Sequence, residues 1–334
     1  MMGGLKKYIT LGSMDIPVWS TSTGMYLGEG KYRYDENSQG EMKLGDCWTA
    51  SYDCARWFKA SVRIPEELAG KKLYLEFDFG GEALVKVNGK IIGAVSSEKN
   101  AGWLSRNQVF FNAPVAGEVF EIELEAAIDA GGFCNAAMNG AKSTSYTLST
   151  ARIVAVDPVC EGYDFDVNVA WDSLEAIEDE YIKARVYEAL DNSLHTVDFD
   201  FEDARVRASI KKAAEVLREE LSKIHYIPQS EVIMTGHSHI DIAWLWRVQE
   251  SERKAARTFS NNLALMDEYP GFVFAQSQAI LYDMTKKLYP ELYERIKEKV
   301  KNGQWDIVGN VWVEADTNIA SGESLIRQLL YGRE

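Results

Sequence analysis

Residues 72–79, KLYLEFDF, alternate apolar and polar side chains almost without a break, and this limits what the first half of the chain can become. Leu73, Leu75, Phe77 and Phe79 stand two apart, the period that turns one face of a β-strand toward a core. Residues 82–87 follow and meet Asn88-Gly89. Asn-Gly between apolar runs is the strongest short hairpin signal, because both residues accept the positive φ of a tight turn. Residues 90–93 return from that turn. Residues 57–64, ending at Pro65, and residues 119–124 read as further strands. Strands at this spacing predict a β-sandwich over residues 1–160.

Composition narrows the function classes. The chain has 334 residues, enough for about two domains. Its formal net charge of −15 argues against a nucleic-acid or anionic-membrane partner, since both require cationic surface. The N-terminus has no long apolar stretch of the signal-peptide kind, and no apolar run approaches the ~18 residues of a membrane span. Cys47, Cys54, Cys134 and Cys160 form no CxxC pair. They read as reduced thiols in a cytoplasmic protein, with a Cys47–Cys54 bridge as the lesser alternative. Aromatic residues make up 11%, with nine tryptophans, which suits a β-rich core or sugar-facing surfaces.

Residues 161–228 change character. Residues 172–192 and 202–224 carry apolar side chains at helical spacing with acidic residues opposite. They read as two amphipathic helices of a connector, the second capped by Asp200 or Asp203. His195 and His225 read as surface or packing residues, and Pro228 closes the segment.

From residue 229 to 334 the rhythm becomes β-α-β-α-β-α. The apolar run Val232-Ile233-Met234 reads as a buried parallel strand over residues 231–235. A helix over residues 249–268 follows, ended by Pro270-Gly271. A second strand spans residues 272–275. A helix over residues 279–302 is broken near Pro290 and ended by Gly303. A third strand spans residues 305–309, and Ser321 caps a last helix. This pattern predicts a parallel sheet whose site lies at the carboxyl ends of the strands. Polar residues stand there in each unit: His239 and Asp241, then Gln276 and Gln278, then Glu314 and Asp316. His239 and Asp241 are two apart and leave one face of an extended segment, so they can chelate a borderline divalent cation such as zinc. An HxD pair alone is more often an ordinary surface or core pair. Convergence of three strand ends is what favours a site. Asp316 or Glu314 can complete the metal set or serve as a nucleophilic carboxylate, and spacing does not separate the two.

Two resemblances enter on these residues. LEFDFGGEALVKVNGK resembles the jelly-roll modules of the galactose-binding type that flank glycoside hydrolases. Such a module implies a carbohydrate-binding role or a structural sandwich docked on its neighbour; the structural role is preferred, with Trp48, Trp57 and Trp103 as the residues to test for sugar binding. GHSHIDIAWLW, followed about 70 residues later by WVEADTNIASGESLIRQ, resembles the family 38 glycoside hydrolases, the class II α-mannosidases, in their cytosolic and bacterial branch. The resemblance implies a retaining α-mannosidase acting on α-mannoside oligosaccharides, built on a (β/α) barrel. It implies Zn2+, or another divalent ion such as Co2+, held by His239, Asp241 and Asp316. It implies Asp316 as nucleophile, Trp244 beneath the reacting mannose, and His237 behind the ligands. A homo-oligomer of the full-length enzyme is compatible with it. The family pattern also calls for a further histidine ligand and an acid/base aspartate downstream. No histidine follows His239, so the expectation is an N-terminal fragment, inactive alone. Two rival readings remain: another metal-dependent carbohydrate hydrolase, such as a polysaccharide deacetylase, and a non-catalytic carbohydrate-binding protein.

Overall fold

The computed structural model describes residues 2–97, 106–111, 115–225 and 230–334. A short helix α1 (Met2–Leu5) and a 3-10 turn lead into twelve strands: β1 (Thr10–Asp15), β2 (Val18–Gly28), β3 (Lys31–Lys43), β4 (Cys47–Ser51), β5 (Cys54–Arg63), β6 (Lys72–Asp78), β7 (Glu82–Val87), β8 (Lys90–Ser96), β9 (Gln108–Phe111), β10 (Val119–Ala127), β11 (Ser143–Thr147) and β12 (Thr150–Val156), with a helix α2 (Ala130–Asn139) between β10 and β11. One sheet runs β1-β12-β6-β9 and the facing one β3-β2-β5-β10-β7-β8. The non-consecutive order is that of a sandwich with crossing connections, as the alternation predicts.

Leu73, Leu75 and Phe77 point inward and are fully buried with Trp19, Phe58, Leu124 and Ile153. Each such side chain contributes about 1.5–3 kcal/mol by leaving water. The hairpin after β7 turns on Asn88 and Gly89, at φ 49° and 77°. Positive φ at both central residues fits the right-handed twist of the flanking strands. Trp48 and Trp57, two of the residues to test for sugar binding, are buried, which fits the preferred structural role. The Trp48 indole N–H donates to Phe79 O at 2.8 Å, and Trp57 packs edge-on against Tyr32. Trp103 lies outside the described residues. All four cysteines are free thiols, so Cys47 and Cys54 are not bridged.

The connector holds three helices rather than two: α3 (Pro158–Ala176), α4 (Glu180–Leu194) and α5 (Asp203–Ser222). The helix expected over residues 172–192 is interrupted because Asp179 caps α4, its carboxylate accepting from Tyr181 N and Ile182 N. The N-cap of α5 is Glu202, without a side-chain bond, rather than Asp200 or Asp203. Leu5 and Tyr8 bury themselves among Tyr163, Leu190, Ile210 and Leu217 of this helical layer, so the extreme N-terminus packs with the helices. His195 and His225 are exposed, as read.

The last region contains β13 (Gly236–His237), α6 (Val248–Glu268), β14 (Phe274–Gln276), α7 (Ala279–Leu288), α8 (Pro290–Lys301), β15 (Trp305–Ile307) and α9 (Gly322–Arg333). The strands form a parallel sheet in the order β13-β14-β15. The expected strand over residues 231–235 is not formed. Pairing starts only at Gly236, and Val232, Ile233 and Met234 are 78%, 84% and 84% exposed. β13 is the edge of this sheet, and among the described residues no strand pairs on its outer side to cover that run. The helices otherwise follow the sequence reading, down to the Ser321 cap that accepts from Ser324 N at 3.2 Å.

Helix α6 lies across β8 of the sandwich. Leu84 and Ile91 share one apolar cluster with Ala255, Ala256, Phe259, Leu263 and Trp305. The sandwich and the α/β region therefore have a common core.

Candidate active site

Five polar residues meet at and just beyond the carboxyl ends of the parallel strands. His239 leaves the loop after β13, where its neighbour Ile240 is buried and anchors the segment. Its Nε2 lies 3.0 Å from Asp241 Oδ1, and its Nδ1 contacts a Glu314 carboxylate oxygen. The other Glu314 oxygen accepts from the Ser277 hydroxyl. His237 Nε2 stands 3.3 Å from that hydroxyl. Loops after all three strands thus contribute, which is the convergence the sequence predicts.

Carboxylates accept hydrogen bonds only, so two of them on opposite edges of one imidazole favour its protonated form. The Asp241 hydrogen bond raises the His239 pKa; partial burial lowers it, and Glu314 raises it again, for a net rise. Burial alone would raise the Glu314 carboxyl, but hydrogen bonds from Ser277 and His239 outweigh this and hold it low.

The same geometry suits a divalent cation. His239 and Asp241 would hold such an ion, and the other imidazole N–H would then donate to Glu314, the arrangement that orients metal-ligating histidines. The donor pair of imidazole nitrogen and carboxylate oxygen is chemically right for zinc. Asp316 is not gathered with this pair. It is exposed, and its Oδ1 accepts from Asn318 N of its own turn at 2.9 Å. Among the described residues, no group of three or more His, Cys, Asp or Glu side chains is assembled to hold a metal.

Gln276 and Gln278 do not face a ligand. Both are fully buried. Gln278 Nε2 donates to Ile240 O at 2.9 Å, and its Oε1 accepts from Glu314 N at 3.4 Å. It ties the loop of His239 to the loop of Glu314.

Trp244 is half-exposed beside the pair, its ring 5.3 Å from that of Trp246 and nearly perpendicular to it. Trp246 is fixed by its indole N–H, which donates to Asp241 O and Ser251 Oγ, both at 3.1 Å. Sequence reasoning missed the sandwich side of this region. His239, Asp241 and Trp244 share a cleft of about 580 Å³ with Glu82 and residues 94–96 of the sandwich. Glu82 accepts from Lys254 and Arg257 at 3.0 Å. Local pattern gives no signal of it: Glu250, Arg253, Lys254 and Arg257 recur at helical spacing on α6, as charges on an ordinary solvated face also do.

Comparison with known proteins agrees with this architecture. Residues 229–334 match the model of the Glycosyl hydrolases family 38 N-terminal domain, and residues 16–154 match that of the Alpha-mannosidase, jelly roll domain. Alpha-mannosidase G of Dictyostelium discoideum is 31% identical over 306 residues, which cover 90% of this chain and 27% of that protein. Alpha-mannosidase 2C1 of Homo sapiens is 29% identical over 280 residues, 83% of this chain and 26% of its own length. The chain thus spans about a quarter of the length of these relatives. The crystal structure of Ruminococcus gnavus beta-glucuronidase shares 11% identity over 44% of this chain and 29% of its own, at a TM-score of 0.31, too low to carry an argument. With both regions matched in order, residues 229–334 are a glycosyl hydrolase family 38 N-terminal domain, preceded at residues 16–154 by an alpha-mannosidase-type jelly roll.

Proposed function

We propose that this chain supplies part of the active site of a retaining, metal-dependent α-mannosidase of the cytoplasm, which removes terminal α-mannosides from oligosaccharides. The observation that carries this is the meeting of His239, Asp241 and Glu314 beside Trp244 at the carboxyl edge of a parallel sheet. His239 and Asp241 would hold Zn2+, or Co2+, with Asp316 as a third ligand. The ion would supply Lewis acidity toward the hydroxyls of the bound sugar.

The chain's own residues divide the work. Glu314 is engaged by His239 and Ser277, so it orients the imidazole. The resemblance of WVEADTNIASGESLIRQ to the family 38 motif makes Asp316 the nucleophile. Its carboxylate oxygen bonds to the anomeric carbon as the bond to the leaving oxygen breaks. A general acid protonates that oxygen, then takes a proton from the water that frees the mannose from Asp316. Trp244 offers an indole face to the C–H face of the sugar. The acid/base group and a further histidine ligand come from the remaining units of a (β/α) barrel, outside residues 1–334.

The test joins zinc titration with turnover of an aryl α-mannoside. The 334-residue chain alone is expected to bind zinc weakly and to turn over nothing. The longer protein containing it should be active, accumulate a glycosyl adduct on Asp316 with a slow fluorosugar substrate, and lose at least about a thousandfold in kcat on Asp316→Ala. Full activity of the Asp316→Ala protein, or an adduct on Glu314 instead, would overturn the assignment.

A further inference from the structure

We infer that the cleft between the sandwich and helix α6 is a second sugar subsite, taking the next residue of a neutral oligosaccharide whose terminal mannose occupies the His239–Asp241 site. This rests on the mannosidase reading above. The cleft is lined by His239 and Asp241, by Ser96 on β8 and by Thr258 and Asn261 on α6, and its volume of about 580 Å³ is in the range of small-ligand sites. Trp244 and Trp246 are also in its lining. Trp244 is half-exposed there, and an indole face suits the C–H face of a pyranose.

The polar groups along it are neutral and available. Asn261 Oδ1 accepts from Ala94 N at 2.9 Å across the seam, which fixes the orientation of the amide and turns Nδ2 to other partners. Among the described residues, Asn261 Nδ2, the Thr258 hydroxyl and the Ser96 hydroxyl have no hydrogen-bond partner, although all three residues are only half-exposed. Three unpaired hydroxyl and amide groups beside an indole match a sugar's ring of hydroxyls. The charged groups of the cleft neutralise one another: Lys254 and Arg257 both bind Glu82, and Arg257 also binds the Glu250 carboxylate at 2.5 Å. A cleft whose ions are already paired favours a neutral ligand over a phosphorylated or uronic sugar. Since β8 belongs to the sandwich, the jelly roll here shapes the substrate site of its neighbour, rather than binding glycans on its own.

The probes are methyl α-mannoside, which fills one site, and α-mannobiose, which reaches the second. Calorimetric titration of the longer protein carrying Asp316→Ala, which does not hydrolyse either sugar, should show mannobiose binding about tenfold tighter, the worth of one or two hydrogen bonds. Thr258→Val is nearly isosteric, and Asn261→Asp keeps the acceptor for Ala94 N while removing the donor. In the double variant the affinity ratio of the two sugars should fall to about one. Ser96→Ala should lower it in part. A ratio left intact, whether both affinities persist or both fall together, overturns the subsite. Preference for mannose 6-phosphate or a uronic disaccharide overturns its neutral character. His239→Ala separates the two readings. If methyl α-mannoside binding ignores it, the mannosidase reading fails, while loss of mannobiose affinity in the double variant still judges the cleft.

Discussion

Gln278 decides whether the site loops stay in register. Its backbone sits at φ 65°, a region that costs a non-glycine residue about 1–3 kcal/mol. The side chain is 1% exposed, and its amide spans the two loops that carry His239 and Glu314. Gln278→Leu should leave Ile240 O and Glu314 N without partners and lower stability by about 1–3 kcal/mol for each buried group left unpaired. Urea unfolding at neutral pH measures it, and unchanged stability would mean that the loops hold themselves. The sequence puts Gln278 at a strand end, where a ligand-facing role is the natural reading. Its tethering role is not legible there, because both partners are loop atoms distant in the chain. The same holds for Asp316 and Glu314. Strand parity leaves them equivalent, and only the fold shows that Glu314 contacts His239 while Asp316 stays within its own turn.

Helix α6 is buried on nearly every side, charged residues included. Arg253 binds Glu250, and Arg257 joins Glu250 to Glu82. Removing one partner from such a network strands the others in a dry environment, so Glu250→Ala should cost about 3–5 kcal/mol in denaturant unfolding. Burial alone would raise the Glu82 and Glu250 carboxyls. The charges of Lys254 and Arg257 at Glu82, and of Arg253, Arg257 and Lys254 at Glu250, hold both below the ordinary 4.5. A carboxyl lowered in the folded state adds stability in full above that value and loses it as pH falls through the lower, folded one. The contribution of these two carboxylates should therefore be level above about pH 5 and decline in acid, so that unfolding free energy falls less steeply in acid in Glu82→Gln. Urea titrations at stepped pH check this; an equal slope in the variant contradicts it. The ends of α6 were legible from periodicity and from Pro270. The burial of its charged stripe was not, because that depends on the sandwich packed over it. At β13 the opposite error arose: Val232–Met234 has the composition of a buried strand, but an edge position leaves it uncovered.

Across the whole molecule, the change of rhythm in the sequence marked three regions, and the structure joins the outer two more closely than that division suggests. Besides the shared core, Tyr74 on β6 bonds Glu268 at the end of α6, Arg247 binds Asp53 at 2.9 Å, and Arg295 donates to Ile91 O at 3.3 Å. The N-terminal Leu5 and Tyr8 pack into the helical layer, a long-range contact that local pattern does not reveal. The seam between sandwich and α6 also makes one covalent link dispensable. Asp200 stands in an exposed turn between α4 and α5, with the sandwich and α6 on opposite sides of it in the sequence. A chain nicked there after folding should persist as a two-fragment complex, co-eluting on gel filtration and parting only in denaturant. The polypeptide would then behave as a split protein, whose halves recognise each other through the core shared by the sandwich and α6 and through α5 packed on the other connector helices.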